Sequence, residues 1–430
     1  MTKRSITLLD ATYGSVSLSM VADHLQDGLG PHMSRRLVAA GHGNPRLLRN
    51  LTRGHRDIRV VPYLTTFLGY ATYQFPQLHR DAIRVLMVGW ELKQLPTTMK
   101  AELSGADVIL AMSSFNAEVF KRTFPSTPVV LAPLRPPAVP EVSRQRERFG
   151  LPNDAIVILS TFDPVSGFDR KNPEAVLDAF QLAFPGREDV RLIFKTHGLD
   201  QVISHLAESA DGRRARQFVE RCSRDPRVNL YDRSLPYPEV QTLVASCDIY
   251  ISLARAEGFG LPVLEAMSLG IPTICTAYSG HLDFATPDSA LLVGGEEARI
   301  SSDASGHYEA RFFDEPPMWI NADIPRAASW LRELAGSSQM RSLFGARARA
   351  RAHDYTTASK QARWPEDLLE VCASDHVARL HSTRHRAFEN FTRADERAWV
   401  TQGEQLRRAR LYLEARRKLG RLKPRRWLAH

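Results

Sequence analysis

The feature that most constrains this chain is an alternation of short apolar segments with longer helix-like ones. Strand-like segments recur in the first third of the chain, at Ile6–Leu9, Arg59–Pro62, Ile83–Val88, Asp107–Met112 and Val129–Leu131. Helix-like segments such as FNAEVFKRTF separate them. Strands that alternate with helices favour a mostly parallel sheet covered by helices, so the sequence predicts an α/β fold.

A second series of the same kind follows a proline-containing stretch from Leu134 to Asp154, which is the best linker candidate. Its predicted strands are Ala155–Thr161, Val190–Lys195, Val228–Tyr231, Asp248–Leu253 and Pro272–Thr276. Its predicted helices are Asn172–Phe184, Pro238–Ser246 and Leu261–Leu269. Two such series predict two Rossmann-like domains facing a cleft. Ligands of these sheets bind beyond the carboxyl ends of the strands.

Composition excludes several other classes of protein. The chain has 430 residues, of which 43% are hydrophobic and 24% charged, which is typical of globular domains and not of disordered or collagen-like chains. There are 4 cysteines and none forms a CxxC pair, which argues against a disulfide scaffold or a cysteine-built zinc site. No apolar run approaches the roughly 20 residues of a membrane span. Asp10 interrupts the apolar start, so we expect a cytoplasmic protein without a signal peptide.

Positive charge is concentrated at the C-terminal end of the chain. Residues 376–430 contain 15 Lys or Arg and 5 Asp or Glu, whereas the whole chain has a net charge of +9. This asymmetry predicts a basic helical extension that contacts an anionic membrane, nucleic acid or an acidic partner. A solvated helix whose charges only keep it soluble is an equally good interpretation.

The most informative segment runs from Asp248 to Phe284. A predicted strand ends in the loop ARAEGFG, and Pro262 then lies in the first turn of a helix. Gly258 and Gly260 allow the backbone to approach a ligand, and a helix N-terminus offers free N–H groups to a phosphate. Val263 stands where the third glycine of a GxGxxG motif belongs, which disfavours NAD.

Two glutamates frame this loop, and each is a candidate for binding sugar hydroxyls. A carboxylate accepts hydrogen bonds from a vicinal diol, so Glu265 suits a ribose and Glu257 suits a sugar beyond the phosphates. The residues alone leave a second interpretation open, in which both are ordinary acids favoured near a helix start.

The run EGFGLPVLE, from Glu257 to Glu265, resembles the E-x7-E signature of the retaining glycosyltransferases of family 4. The flanking runs AMSLGIPT, YSGHLDF and FDPVSGFDRKNP resemble the same family, and the resemblance covers residues 150–371. It implies a GT-B fold in which residues 1–140 form the acceptor domain and residues 150–355 the nucleotide-sugar domain. Residues 356–375 would be a closing helix, and residues 376–430 the basic extension.

The resemblance also implies roles for individual residues. Glu257, Arg170 and Lys171 would be catalytic, with the basic pair neutralising the departing diphosphate; a solvated loop pair is the alternative for these two cations. Donor-binding residues would be Glu265, Gly258, Phe259, Gly260, Leu261, Ser166, Lys195 and His281. Gly14, Ser15 and Glu91 are the weaker candidates on the acceptor side. No cofactor and no metal are expected.

The function that the resemblance implies is a retaining, metal-independent transfer of a hexose, with mannose favoured, from a nucleoside-diphosphate sugar. GDP-linked donors are favoured and UDP- or dTDP-linked donors remain open. The acceptor would be a growing surface polysaccharide or a lipid-linked glycan, reached from the cytoplasmic face of the membrane. The alternatives are a nucleic-acid-binding protein that uses the basic extension, although no specific nucleic acid is expected, or a catalytically silent partner protein with the same fold.

Overall fold

The structure is a computed structural model that describes residues 6–10, 16–38, 58–63, 82–135, 142–205, 209–301, 308 and 310–389. The predicted acceptor-side residues Gly14 and Ser15 lie outside the described residues, as does most of the basic extension, from residue 390 onward.

The first domain is built on a six-stranded parallel sheet with the strand order β2-β1-β3-β4-β5-β6. Two of its strands, Ile83–Val88 and Val108–Ala111, are buried along their whole length, and apart from Arg84 their residues are apolar. The strands are β1 Ile6–Asp10, β2 Met33–Val38, β3 Ile58–Tyr63, β4 Ile83–Val88, β5 Val108–Ala111 and β6 Val129–Leu131. The described helices of this domain are α1 Val16–Leu29, α2 Thr97–Leu103 and α3 Ser114–Thr123.

The second domain contains another six-stranded parallel sheet, with the order β12-β11-β10-β7-β8-β9. Its strands are β7 Ile156–Thr161, β8 Val190–Thr196, β9 Val228–Asp232, β10 Ile249–Ser252, β11 Thr273–Thr276 and β12 Leu291–Val293. This is the order of a Rossmann sheet, in which strands are added in one direction from the first strand and then in the opposite direction from the fourth, so the first and fourth strands are neighbours. Here those strands are β7 and β10, so the loops that follow them meet at one point.

Helices cover this sheet, and their ends follow local sequence rules. Proline occupies the first turn of α5 at Pro173 and of α9 at Pro262, where its missing N–H is not needed. The helices are α4 Phe168–Lys171, α5 Pro173–Ala183, α6 Leu199–His205, α7 Ala210–Ser223, α8 Tyr237–Ala245, α9 Leu261–Ser268, α10 Ile324–Gly336 and α11 Ser338–Gln361. An antiparallel hairpin of β13 Gly295–Arg299 and β14 Met318–Ala322 precedes α10.

The chain then returns to the first domain through two helices, α12 Trp364–Ala373 and α13 Asp375–Glu389. The ring of Trp364 lies 5.5 Å from that of His24 on α1. His381 of α13 contacts the buried carboxylate of Asp107 at 2.9 Å. The extension predicted from residue 376 therefore begins as a helix packed on the first domain. None of the described helices combines the length and the apolar character that a membrane span requires.

The two domains share a hydrophobic cluster. Trp90 and Leu92 of the first domain belong to it, together with Tyr278, Tyr308 and Trp319 of the second. The β13–β14 hairpin supplies Trp319 and thus lies against both domains. This cluster therefore joins the two domains.

One arginine fixes the start of the second domain. Arg146 is buried, contacts the carboxylate of Asp248, and donates to the carbonyls of Pro152 at 2.6 Å and Ala155 at 3.0 Å. It joins the C-terminal part of the predicted linker to the end of α8, where it also contacts the carbonyl of Ser246.

We expect Arg146→Ala to lower the free energy of unfolding by about 3 kcal/mol, because it leaves Asp248 partly buried without this partner. The matched control is Arg148→Ala, which removes a half-exposed ion pair of 3.0 Å with Glu239 and should change stability by less than about 1 kcal/mol. Chemical denaturation of both variants measures the difference. Equal effects would contradict the structural role of Arg146.

Candidate active site

The candidate site lies where the loops after β7 and β10 meet. The first loop runs through the 3-10 turn Pro164–Ser166 into α4, and the second carries Glu257. The backbone N–H of Arg255 donates to the carbonyl of Arg170 at 2.8 Å and so ties the two loops together. The strand order of the sheet therefore brings side chains about 90 residues apart in sequence into contact.

Glu257 is the centre of a buried group of charges. Lys171 Nζ lies 2.6 Å from Glu257 Oε1, and Arg170 Nη1 lies 3.3 Å from Glu257 Oε2. The side chain of Glu257 is 13% exposed. Each carboxylate oxygen thus has its own cation, which makes this a pair of salt bridges sharing one acid.

These cations set the ionisation of Glu257. Burial alone would raise its pKa, but the charges of Lys171 and Arg170, with the hydrogen bond from Lys171, outweigh burial and hold the pKa at about 2. Glu257 is therefore a carboxylate throughout the physiological range and has little tendency to take up a proton.

Arg170 is not a solvated loop residue. Its side chain is 3% exposed, and its guanidinium donates to the carbonyls of Ala256 at 2.8 Å and Ser166 at 2.9 Å. Lys171, at 14% exposure, is the more accessible of the two cations. The solvated alternative for this pair does not agree with the structure.

The glycine loop before α9 is packed against its neighbours with no room for side chains. Gly260 has a φ of +87°, and a Cβ atom there would lie 2.7 Å from Cβ of His281. A Cβ atom at Gly280 would lie 2.1 Å from the carbonyl oxygen of Gly258. Leu261 is the first residue of α9, whose first N–H groups have no partner inside the helix. The loop has the geometry that lets a helix N-terminus approach an anion.

Glu265 lies further along α9 and is 7% exposed. The hydroxyl of Tyr237, at the start of α8, donates to Glu265 Oε1 at 2.5 Å. Burial raises the pKa of Glu265 to about 7, although the bond from Tyr237 opposes the shift. This carboxyl therefore titrates near neutral pH, unlike Glu257.

His281 has one ring nitrogen occupied and one unpaired. Its Nε2 lies 2.5 Å from the carbonyl oxygen of Thr276, which can only accept, so Nε2 carries the proton. Burial lowers the pKa of His281, so the ring is neutral and Nδ1 is an acceptor. This buried Nδ1 has no hydrogen-bond partner among the described residues. A buried acceptor without a partner beside Gly260 fits a ligand hydroxyl.

Three other predicted donor residues have partners within the protein. Ser166 Oγ donates to the carbonyl of Asp163 at 3.0 Å, and Lys195 Nζ to the carbonyl of Thr196 at 2.8 Å. The ring of Phe259 packs in the core, 5.3 Å from that of Phe284. For Phe259 only the backbone can therefore line the donor site. The Ser166 hydroxyl can still accept a hydrogen bond, and the Lys195 ammonium keeps two further N–H donors.

The first domain reaches the site through the segments that follow β4 and β5. Glu91 Oε1 lies 3.7 Å from Arg170 Nη2, and Ser113 Oγ donates to the carbonyl of Gly258 at 2.7 Å. A Cβ atom at Gly258 would lie 3.3 Å from the backbone of Trp90. Glu91 thus lies beside the predicted catalytic group.

Sequence reasoning missed three residues that shape the site. Tyr237 bonds to Glu265, and Tyr308 donates to Glu91 at 3.2 Å. Ser279 accepts from the N–H of Glu257 at 2.8 Å and has an unusual φ of +75°. Only Ser279 carried a signal, because it lies in the run YSGHLDF next to Gly280.

The described residues contain no group of three or more His, Cys, Asp or Glu side chains that could hold a metal ion. The side chains of Arg170 and Lys171 are the cations that form salt bridges with Glu257 among the described contacts.

Comparison with solved structures defines the class of fold. Sucrose-phosphate synthase from Thermosynechococcus elongatus aligns with a TM-score of 0.61 and 14% identity, over 86% of this chain and 100% of that one. The Anabaena protein HepE, solved in complex with UDP and glucose, aligns with a TM-score of 0.58 and 14% identity, over 85% of this chain and 100% of that one. The chain has the GT-B fold.

Sequence comparison is more specific. The family model described as glycosyl transferases group 1 matches residues 144–301. O-antigen chain mannosyltransferase B of Escherichia coli is 28% identical over 241 residues, which are 52% of this chain and 54% of that protein. A GDP-mannose-dependent monoacylated alpha-(1-6)-phosphatidylinositol monomannoside mannosyltransferase of Corynebacterium glutamicum is 25% identical over 229 residues, 49% of this chain and 55% of that protein.

The chain therefore spans about half the length of these curated relatives. Residues 144–301 thus match the group 1 glycosyltransferase model, and the chain, which has the GT-B fold, is similar to mannosyltransferases. The predicted GT-B fold is thus confirmed, and so is the resemblance to glycosyltransferases of the mannosyltransferase type.

The pKa of Glu265 predicts a pH dependence of stability. Because the folded state binds this proton more tightly than the unfolded state, the contribution of Glu265 is most favourable below pH 4.5 and declines as the pH rises through 7. Relative to Glu265→Gln, we expect the wild type to lose up to about 3 kcal/mol of unfolding free energy over this range. Chemical denaturation of both proteins at pH 5 and pH 8 measures this loss of unfolding free energy. A stability difference between the two proteins that does not change with pH would contradict the raised pKa of Glu265.

Proposed function

We propose that this protein is a retaining, metal-independent glycosyltransferase of family 4 that transfers a hexose from a nucleoside-diphosphate sugar. The observation that carries the proposal is the group of Glu257, Lys171 and Arg170 beside the N-terminus of α9, at the reversal point of a Rossmann sheet. A nucleoside-diphosphate sugar carries two phosphates between a ribose and a hexose, and the site offers a suitable group to each part.

The donor would lie along the loop from Glu257 to Glu265. In this proposal the N–H groups at Gly260 and Leu261 and the ammonium of Lys171 bind the diphosphate. Glu265 accepts from the ribose hydroxyls through its free oxygen, since Tyr237 already donates to the other. Glu257 and the unpaired Nδ1 of His281 accept from hydroxyls of the hexose.

The low pKa of Glu257 argues against its use as a general base. We therefore propose that an oxygen of the departing phosphate takes the proton of the acceptor hydroxyl. The bond between the anomeric carbon and the phosphate oxygen breaks, and the bond to the acceptor oxygen forms on the same face of the sugar. Configuration is then retained.

Fixed cations in a cleft from which water is largely excluded stabilise the charge that develops on a departing diphosphate. Lys171, supported by Arg170, would supply this charge, which is why we propose that no metal is needed. The donor that we favour is GDP-mannose, because curated relatives are mannosyltransferases and one of them is named as GDP-mannose-dependent.

The proposed acceptor is a growing polysaccharide or a lipid-linked glycan, as expected for a relative of an O-antigen chain mannosyltransferase. A protein that acts on such an acceptor benefits from binding the membrane surface. Residues 390–430 contain 12 basic and 4 acidic residues, which suits an anionic bilayer.

The two glutamates of the loop should differ when each is removed. We expect Glu265→Ala to weaken nucleotide binding 10- to 100-fold, because the ribose hydroxyls lose a buried acceptor. Glu257→Ala should leave nucleotide binding within about threefold and slow sugar transfer about 100-fold. Calorimetric titration with GDP, UDP, dTDP and ADP in EDTA measures binding, and release of the hexose from the preferred donor measures the reaction.

Glu239→Ala is the control for these variants, because it removes a surface carboxylate of α8 and should change neither binding nor turnover. If Glu257→Ala and Glu265→Ala also behaved as the wild type, the donor site would lie elsewhere. If the wild type bound none of these nucleotides, the proposed function would be wrong.

Membrane binding can be tested by truncation after residue 389, which spares the packed helix α13. We expect the full chain to float with liposomes that contain anionic phosphatidylglycerol and the truncated chain not to float. Liposomes of neutral phosphatidylcholine are the control. Equal flotation of the two chains would contradict a role of the extension at the membrane.

A further inference from the structure

A set of contacts joins the two domains next to the candidate catalytic group. The segment after β4, in the first domain, faces the β13–β14 hairpin of the second domain. Lys93 lies 2.8 Å from Glu297 of β13, and Lys100 lies 2.7 Å from Asp314. These ion pairs are half exposed, so each contributes little to holding the domains together.

The contact between Glu91 and Arg170 differs from the others in this set because it is largely buried and involves a residue of the candidate catalytic group. Glu91 is 22% exposed and Arg170 is 3% exposed, and 3.7 Å separates their nearest charged atoms. Tyr308, which precedes β14, donates to the other oxygen of Glu91 at 3.2 Å. Burial raises the pKa of Tyr308 well above its usual value, so its hydroxyl keeps the proton that it donates.

Tyr308 also contacts the cation directly. The guanidinium of Arg170 lies 6.0 Å from the centre of the Tyr308 ring. A Cβ atom at Gly167, three residues before Arg170, would lie 3.1 Å from this ring. Tyr308 is thus packed on α4 and joined to Glu91 by its hydroxyl.

The position of the Arg170 guanidinium affects the placement of the Glu257 carboxylate. Arg170 Nη1 contacts both Glu257 Oε2 and the carbonyl of Ala256, so a shift of the guanidinium changes the support of this carboxylate. Among the described contacts of Arg170, only Glu91 comes from the first domain. Domains of one chain move relative to each other unless their interface is large, and such motion would separate Glu91 from Arg170.

We propose that Glu91 and Tyr308 are positioning residues that act on Arg170, and through it on Glu257, only when the two domains are closed. Arg170 and Lys171 then have different roles. Lys171 binds the diphosphate, and Arg170 couples domain closure to the placement of Glu257. This inference rests on the proposed function for its catalytic consequence, but not for the contact itself.

The test compares Glu91→Gln and Tyr308→Phe with Lys93→Gln, a matched control that removes a charge from the same segment and a contact between the same domains. GDP is the binding probe, and hydrolysis of GDP-mannose to free mannose is the activity probe. We expect Glu91→Gln to lower kcat at least 10-fold and to change the dissociation constant for GDP by less than threefold. Tyr308→Phe should lower kcat by a smaller factor, and Lys93→Gln should change neither quantity more than twofold.

Domain closure is measured separately, by a spin-label distance between Lys121→Cys and Glu220→Cys, two exposed positions on different domains. The native cysteines, Cys222, Cys247, Cys275 and Cys372, are buried and should not be labelled. We expect Glu91→Gln to shift the distance distribution towards open forms, and Lys93→Gln to leave it as in the wild type.

Identical distance distributions and identical kcat values for Glu91→Gln and Lys93→Gln would overturn the inference. A loss of GDP binding in Glu91→Gln as large as that in Lys171→Ala would also overturn it, because Glu91 would then act on the donor site itself. If the wild type neither bound GDP nor hydrolysed GDP-mannose, the proposed donor would fail, and the distance measurement would still decide whether Glu91 holds the domains closed.

Discussion

The burial of the Glu257 carboxylate is the constraint around which the candidate site is arranged. A carboxylate removed from water is stable only with compensating charge or hydrogen bonds, and Lys171 and Arg170 supply both. These two cations come from the loop after β7, whereas the acid comes from the loop after β10. The ion pairs therefore also fix how the two loops lie against each other, and with them the N-terminus of α9.

The same network makes the site sensitive to the first domain. Arg170 is enclosed by carbonyl groups of its own domain, by the ring of Tyr308 and by the carboxylate of Glu91. Shared burial of Trp90 and Trp319 excludes water from this side of the cleft. Electrostatic interactions are stronger where water is excluded. Closure of the two domains would therefore also strengthen the interactions of Arg170 with Glu91 and Glu257.

The parts of the fold that the sequence predicted well are the ones with a strong local pattern. The strands Ile83–Val88 and Val129–Leu131 were predicted with their observed bounds, because each is a short run of mainly apolar residues. The first is buried along its whole length, and the second lies at the edge of the sheet with Leu131 exposed. The edge strand Met33–Val38 and the hairpin strand Gly295–Arg299 were not predicted, since each carries charges and neither has a continuous apolar run. Helix Val16–Leu29 was also missed.

By itself the sequence determined the two α/β domains, the glycine loop and the pair Glu257 and Glu265, because each depends on residues that are close together in the chain. Only the tertiary structure decided that Arg170 is buried, that Tyr237 donates to Glu265, and that Tyr308 and Glu91 meet. These contacts join residues from different elements, and Tyr308 and Glu91 lie more than 200 residues apart. Their formation depends on how strands, helices and domains pack, which no local pattern of residues records.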